Sequence, residues 1–190
     1  MELKTRGKAA GVTKPMVVRV TRNPEKTDSH TALLVEDYLP DHLDNFGAVL
    51  STLDLTSFPI SQPHIHSIPS MFHLAEGDIV AIHTDGVIST LYRVNSHHNF
   101  LLVTERCNSN CLMCSQPPRD REDVYYLHAL HQQLIPLIPK DCPELGITGG
   151  EPTLMGNLFF ELLEQLKTEL PDTDLHCLTN GRAFAWNNLA

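Results

Sequence analysis

The sequence predicts an α/β fold in the second half of the chain, preceded by a small β-rich domain. Three observations carry this expectation. The first half holds short β-branched and apolar runs cut by Pro, Gly and Asn turns. The second half changes rhythm to strand, helix, strand, helix, strand. Three loops rich in Cys, Gly and Asn follow those later strands, at the carboxyl ends where βα series place functional residues. The boundary falls at Ser96, giving a β-rich N-terminal domain over 1–96 and an α/β domain over 97–190.

With 190 residues, 42% of them hydrophobic, the chain has the material for a buried core. Its formal net charge is −9, with Asp+Glu 23 against Lys+Arg 14. No field of the whole molecule favours a nucleic-acid backbone, so nucleic acid is not expected as a partner. Basic residues gather only at the start, where Lys4, Arg6, Lys8, Lys14, Arg19 and Arg22 face Glu2 alone. That pattern predicts a solvated, partly disordered tail. No apolar run approaches the about 20 residues that span a bilayer, and residues 1–10 lack the apolar core of a signal peptide. The expectation is a cytoplasmic protein that does not engage a membrane. Three of the five cysteines are clustered, which in such a chain speaks for metal or redox chemistry rather than a disulfide framework.

Within the first half, Met16 to Val20 and Thr31 to Val35 read as strands separated by Asn23-Pro24, and Gly47 to Ser51 as a third. Asp41 to Asn45 predicts one helical turn. Pro59, Pro63 and Pro69 predict irregular backbone over 59–69, because proline cannot donate to a ladder. His64 and His66 have the i, i+2 spacing that puts two side chains on one side of a strand. The flanking prolines, and no third ligand at fixed spacing, favour a solvated loop pair without a metal role. Gly77 to Ile82, a turn at Thr84-Asp85-Gly86, and Val87 to Val94 make a hairpin.

In the second half, Phe100 to Thr104 is a near-continuous apolar run, the signature of a strand buried on both faces of a parallel sheet. Gln116-Pro117-Pro118 delays the next helix, on which Val124, Leu127, Leu130, Leu134 and Leu137 recur at helical spacing until Pro136 disturbs the last turn. Leu145 to Thr148 is the next strand. A helix follows, with Asn157 as its N-cap and Phe159, Leu162, Leu163, Leu166 and Leu170 on one face. Asp174 to Thr179 is the last strand.

Chemistry concentrates in the three loops. Cys107, Cys111 and Cys114 are spaced Cys-x3-Cys-x2-Cys. Iron–sulfur clusters usually take four thiolates, so three close cysteines leave one iron open to a substrate or cofactor. Alternatively, the three join Cys142 or Cys177 in a structural zinc site; otherwise those two read as ordinary buried thiols. Gly149 and Gly150 let the main chain approach a ligand closely, and Glu151 either accepts a hydrogen bond from an amino group or caps the next turn. Thr179-Asn180-Gly181 is an ordinary turn or part of the same site.

The cysteine loop, Gly149-Gly150-Glu151-Pro152 and Thr179-Asn180-Gly181, each after its strand and in this order, resemble the radical S-adenosylmethionine (radical SAM) enzymes. The resemblance implies that Cys107, Cys111 and Cys114 hold a [4Fe–4S] cluster whose remaining iron is chelated by S-adenosylmethionine. It implies that Gly149, Gly150, Glu151, Pro152, Thr179 and Asn180 bind this cofactor. Met113, at a position usually aromatic in the superfamily, would pack near the adenine. An electron donor would reduce the cluster, and cofactor cleavage would yield a 5′-deoxyadenosyl radical that takes a hydrogen atom from substrate, the hard step belonging to the cofactor.

A narrower likeness rests on Asn99 to Cys107 running into Cys111 to Arg119, after the hairpin at Gly77 to Val94. It is similar to the radical maturases of the His-Xaa-Ser peptide system, and implies a small ribosomally made precursor peptide and a paired radical SAM maturase as partners. The implied fold is the first three βα units of a radical SAM partial TIM barrel, six units when complete, where a full eight-unit barrel takes about 250 residues. The chain is therefore expected to be truncated within the barrel. It would then be either an active fragment or a non-catalytic remnant that binds a cluster or a partner. A zinc-stabilised interaction module is a third reading.

Overall fold

The computed structural model describes residues 3–40, 42–114 and 117–185. Two compact units divide the chain, Met1–Ser96 and His97–Ala190. No helix among the described residues is long and apolar enough to cross a membrane.

Short aliphatic runs, each cut by a turn residue, give the first unit eight strands: β1 (Lys4–Arg6), β2 (Lys8–Ala10), β3 (Met16–Thr21), β4 (Thr31–Val35), β5 (Ala48–Ser51), β6 (His64–His66), β7 (Ile79–Ile82) and β8 (Val87–Tyr92). Their order across the sheet is β1-β8-β7-β3-β4-β5-β6-β2. β3 to β6 are parallel neighbours, whereas β7 and β8 form an antiparallel hairpin. β1 pairs antiparallel with β8, and β2 antiparallel with β6. Only Gly7 separates β1 from β2, so one continuous stretch of chain covers both edges of the sheet. Gly7 allows this because its neighbours come too close for a side chain: a Cβ there would lie 2.5 Å from the His66 carbonyl oxygen. Alternation along the strands then sorts side chains to two cores. Ala32 and Leu34 join Val18, Leu50 and Ile65 in one, while Leu33 and Val35 join Phe46, Val49 and Leu55 in the other.

This unit corrects three expectations. The basic N-terminal stretch is not a tail, since residues 4–10 are sheet; Arg6 pairs with Asp85, and Arg22 donates to Glu36 and to the Leu74 carbonyl. His64-Ile65-His66 is not a solvated loop but strand β6, with His64 and His66 only 8% and 6% exposed. Pro63 lies just outside that strand, where its missing N–H removes no ladder bond and its carbonyl accepts from Val49 at 3.0 Å. Asp41 of the expected helical turn lies outside the described residues; Asp44 and Asn45 form a turn in which Asn45 has a left-handed φ of 73°.

The second unit is mixed α/β with parallel strands. It comprises β9 (Phe100–Leu102), α1 (Val124–Leu134), β10 (Glu144–Thr148), α2 (Asn157–Glu169) and β11 (Asp174–Cys177). β10 is central and runs parallel to both neighbours. Pro136, which cannot continue the hydrogen-bond ladder, reduces the end of α1 to a single 3-10 turn at Ile135–Leu137. Val124, Leu130 and Leu134 of α1 and Phe159, Leu162 and Leu166 of α2 are buried. The helices meet, Gln165 Nε2 donating to the Gln132 carbonyl at 3.2 Å.

Two details differ from expectation. Asn157 is the first helical residue, and Gly156 occupies the N-cap. β9 is not buried on both faces: Phe100 is 41% exposed, its ring set edge-on to His176 at 5.4 Å, across Gly146 of the central strand. Of Gln116-Pro117-Pro118, Gln116 lies outside the described residues.

Candidate functional site

The strands β9, β10 and β11 are parallel, so the segments that leave their carboxyl ends emerge side by side and interlock. Val103 N–H donates to the Thr148 carbonyl at 2.9 Å, Gly150 N–H to Thr104 at 2.8 Å, and Glu151 N–H to Arg106 at 2.8 Å. The approach is closest at the two glycines. A Cβ on Gly149, whose φ is 149°, would sit 2.3 Å from the Thr104 oxygen; one on Gly150 would sit 1.9 Å from the Arg106 oxygen and 3.0 Å from Cys107 Cβ. Only bare backbone allows these two segments to touch at the first cysteine.

The base of the cysteine loop is pinned by Asp123, just before α1. Its side chain does not cap the helix but accepts from Thr104 Oγ1 at 2.7 Å and from Glu105 N–H at 2.8 Å. Arg119 N–H donates to the Glu105 carbonyl, and Arg106 pairs with Glu122 at 2.9 Å, so residues 104–106 and 119–123 close the loop as a neck.

Glu151 ties the loops after β10 and β11 together. Its carboxylate is fully buried. Oε1 accepts from Thr153 N–H at 3.1 Å, Thr153 Oγ1 at 2.6 Å and Thr179 Oγ1 at 2.7 Å, and Oε2 accepts from Asn180 N–H at 2.8 Å. Burial alone would raise this carboxyl, but the bonds from Thr153, Asn180 and Thr179 outweigh it and hold the group below the usual glutamate range. Of the two sequence readings, the cap is realised: Glu151 caps the 3-10 turn Pro152–Met155. Nearby, burial pushes the Cys177 thiol up, and the Glu151 charge adds to it.

Cys107 is half-buried, and Cys111 and Cys114 are exposed on a turn closed by Cys114 N–H to the Cys111 carbonyl at 3.1 Å. Leu112 and Met113 on that turn are 99% and 92% exposed. Among the described residues no three His, Cys, Asp or Glu side chains converge tightly enough to hold a single metal ion. A cubane takes each thiolate on a different iron, so three cysteines of one loop are donors of the kind it uses. Cys142 is buried before the amino end of β10, away from the carboxyl ends where the cysteine loop lies. The donors present fit a cluster with one open iron: three thiolates on one loop, beside main chain bared by two glycines.

Several contributors escape sequence reasoning. Asp123 carries only the generic signal of an acid before a helix. Asn108, Ser109 and Arg182 carry none, although Asn180 Nδ2 donates to Asn108 Oδ1 at 2.7 Å and Arg182 to the Asn108 carbonyl at 2.9 Å.

Residues 101–189 match the family model of the radical SAM superfamily. Over 99 residues, 50% of this chain and 30% of the relative, the sequence is 29% identical to a GTP 3′,8-cyclase of Desulforamulus reducens. Over 98 residues, 47% of this chain and 25% of the relative, it is 31% identical to a Methanocaldococcus jannaschii protein provisionally named a glycyl-radical enzyme activating enzyme. The match thus spans less than a third of either relative's length. No solved structure matches. Residues 101–189 are therefore a domain of the radical SAM superfamily, whose members are enzymes that use a [4Fe–4S] cluster and S-adenosylmethionine.

Proposed function

We propose that Cys107, Cys111 and Cys114 hold the cluster, that the loops after β10 and β11 receive S-adenosylmethionine, and that the protein serves the radical modification of a small His-Xaa-Ser-type precursor peptide. The observation that supports this best is the contact between Gly150 and the first cysteine, with no side chain between them. A cofactor that chelates iron on one loop and rests on the other has to lie across that junction. When bound, these cofactors supply one-electron cleavage of a sulfonium carbon–sulfur bond, ending in hydrogen-atom removal from substrate.

The chain's own residues bind, orient and shield. Gly149 and Gly150 bare the main chain, whose carbonyls can accept from an amino group. Glu151 acts through the loops, because its carboxylate is buried among protein donors and leaves only its main chain for a ligand. Pro152 fixes the start of the turn that Glu151 caps. Met113 is an adaptable apolar side chain that can lie against an adenine. Thr179 and Asn180 hold the third loop against the second through Glu151.

The peptide substrate, a paired maturase and an electron donor come with the likeness of Asn99–Cys107 and Cys111–Arg119 to the His-Xaa-Ser maturases. A cytoplasmic location belongs to the same reading. The sequential parallel order β9-β10-β11 is how a βα barrel begins, which supports the first units of a partial barrel. The test is incubation of the anaerobically reconstituted protein with S-adenosylmethionine, a reductant, the paired maturase and a His-Xaa-Ser peptide. The reading expects 5′-deoxyadenosine, methionine and a changed peptide mass. Cofactor cleavage with an unaltered peptide would leave the superfamily chemistry in place and overturn the substrate.

A further inference from the structure

The two arms of the cysteine loop are held differently. From Cys111 to Cys114 the chain makes a turn closed by its own backbone, with Leu112 and Met113 exposed. Between Cys107 and Cys111, by contrast, residues of the third loop reach across. Asn180 Nδ2 donates to Asn108 Oδ1 at 2.7 Å and to Ser109 Oγ at 3.2 Å. Arg182 donates from one guanidinium nitrogen to the Asn108 carbonyl at 2.9 Å and to Ser109 Oγ at 3.5 Å. Arg182 N–H also donates to Asn180 Oδ1 at 3.0 Å, which fixes the amide with its NH2 toward the cysteine loop. The chain of bonds is anchored in the core, because Asn180 N–H is held by the buried Glu151 carboxylate.

We propose that Asn180 and Arg182 are positioning residues that clamp the Cys107–Cys111 arm, fixing the first two thiolates against each other and placing a permanent positive charge beside the loop. Resting on the reading that the three cysteines hold a cluster, this gives Asn180 a role other than contact with the cofactor, and gives Arg182 its first role. An ordered arm slows ligand detachment. A fixed cation favours the more negative, reduced state of a cluster, whose potential follows local charge and hydrogen bonding.

The experiment reconstitutes the 190-residue chain anaerobically and compares it with Asn180→Ala, Arg182→Ala, Arg182→Lys and, as a remote control, Lys140→Ala, whose ammonium bonds to Glu169 at the end of α2. Iron release to a chelator and the midpoint potential of the cluster are measured, and the thermal midpoint of the metal-free chains reports folding. The clamp predicts about fivefold faster release, or about 1 kcal/mol, for Asn180→Ala and Arg182→Ala. Arg182→Ala also lowers the potential, whereas Arg182→Lys restores the potential but only part of the retention. Lys140→Ala and all metal-free thermal midpoints stay at the parent values. Iron uptake by the parent, with release and potential unchanged in the variants, would overturn the clamp alone. A parent that takes up no iron would overturn the cluster reading and the clamp with it.

Discussion

At the scale of single residues, the site depends on groups that make the loops touch. Glu151 is the clearest. Its folded carboxyl is held below the usual glutamate range, so the stability it contributes is present above that range and is lost as pH falls through the folded value. Glu151→Gln sets an amide NH2 among groups that donate, and is expected to cost about 3 kcal/mol at pH 7, read by urea unfolding of the second unit; a change below about 0.5 kcal/mol would mean the loops hold without it. Gly150→Ala brings a Cβ to 1.9 Å from the Arg106 oxygen. It is expected to destabilise by about 2 kcal/mol and to impair cluster retention, the first read by unfolding and the second by iron content. A close backbone approach at Gly149 and Gly150 was legible in the sequence, because glycine alone permits it. Asp123 and Arg182 were not: any acid or base looks alike until its partner, 19 residues away for Thr104 and 74 for Asn108, is known.

Among the elements, α1 and α2 were legible from their leucine stripes, since helical periodicity survives without knowledge of partners. The ends were less so. Asn157 looked like a cap by type, but the cap fell on Gly156 because the 3-10 turn Pro152–Met155 leads into the helix there. α1 also carries a titration signature. Burial pushes His131 down to about 4, with the neighbouring His128 adding to the effect, and His131 Nδ1 has no hydrogen-bond partner. A group neutral in the fold and protonated when unfolded contributes fully above the unfolded value and loses its contribution as pH falls toward the folded one. Between pH 7 and pH 4.5 the second unit should lose roughly 2 kcal/mol from this group. His131→Leu should flatten that part of the stability–pH curve; an unchanged slope would contradict the burial account.

On the scale of the whole molecule, each unit has its own sheet. The parallel order of the second unit could be read from the strand–helix rhythm, because each crossover is local. The edge covering of the first unit could not, since Lys4 pairs with Ser89 and Lys8 with His66, and strands of three residues are too short to give a periodic signal. Deleting residues 1–10 should uncover the edges of β8 and β6, lower the unfolding midpoint of the first unit and promote association. Calorimetry reads the midpoint and sedimentation the association; an unchanged midpoint with no association would contradict the edge-covering role.

The central claim is that Cys107, Cys111 and Cys114 form a cluster site on a radical SAM domain. Metal analysis of anaerobically reconstituted protein tests it most directly. The account expects about four irons per chain with matching sulfide, lost in Cys111→Ala and retained in Cys177→Ala. Tightly bound zinc in place of iron, or iron retained by Cys111→Ala, would contradict it.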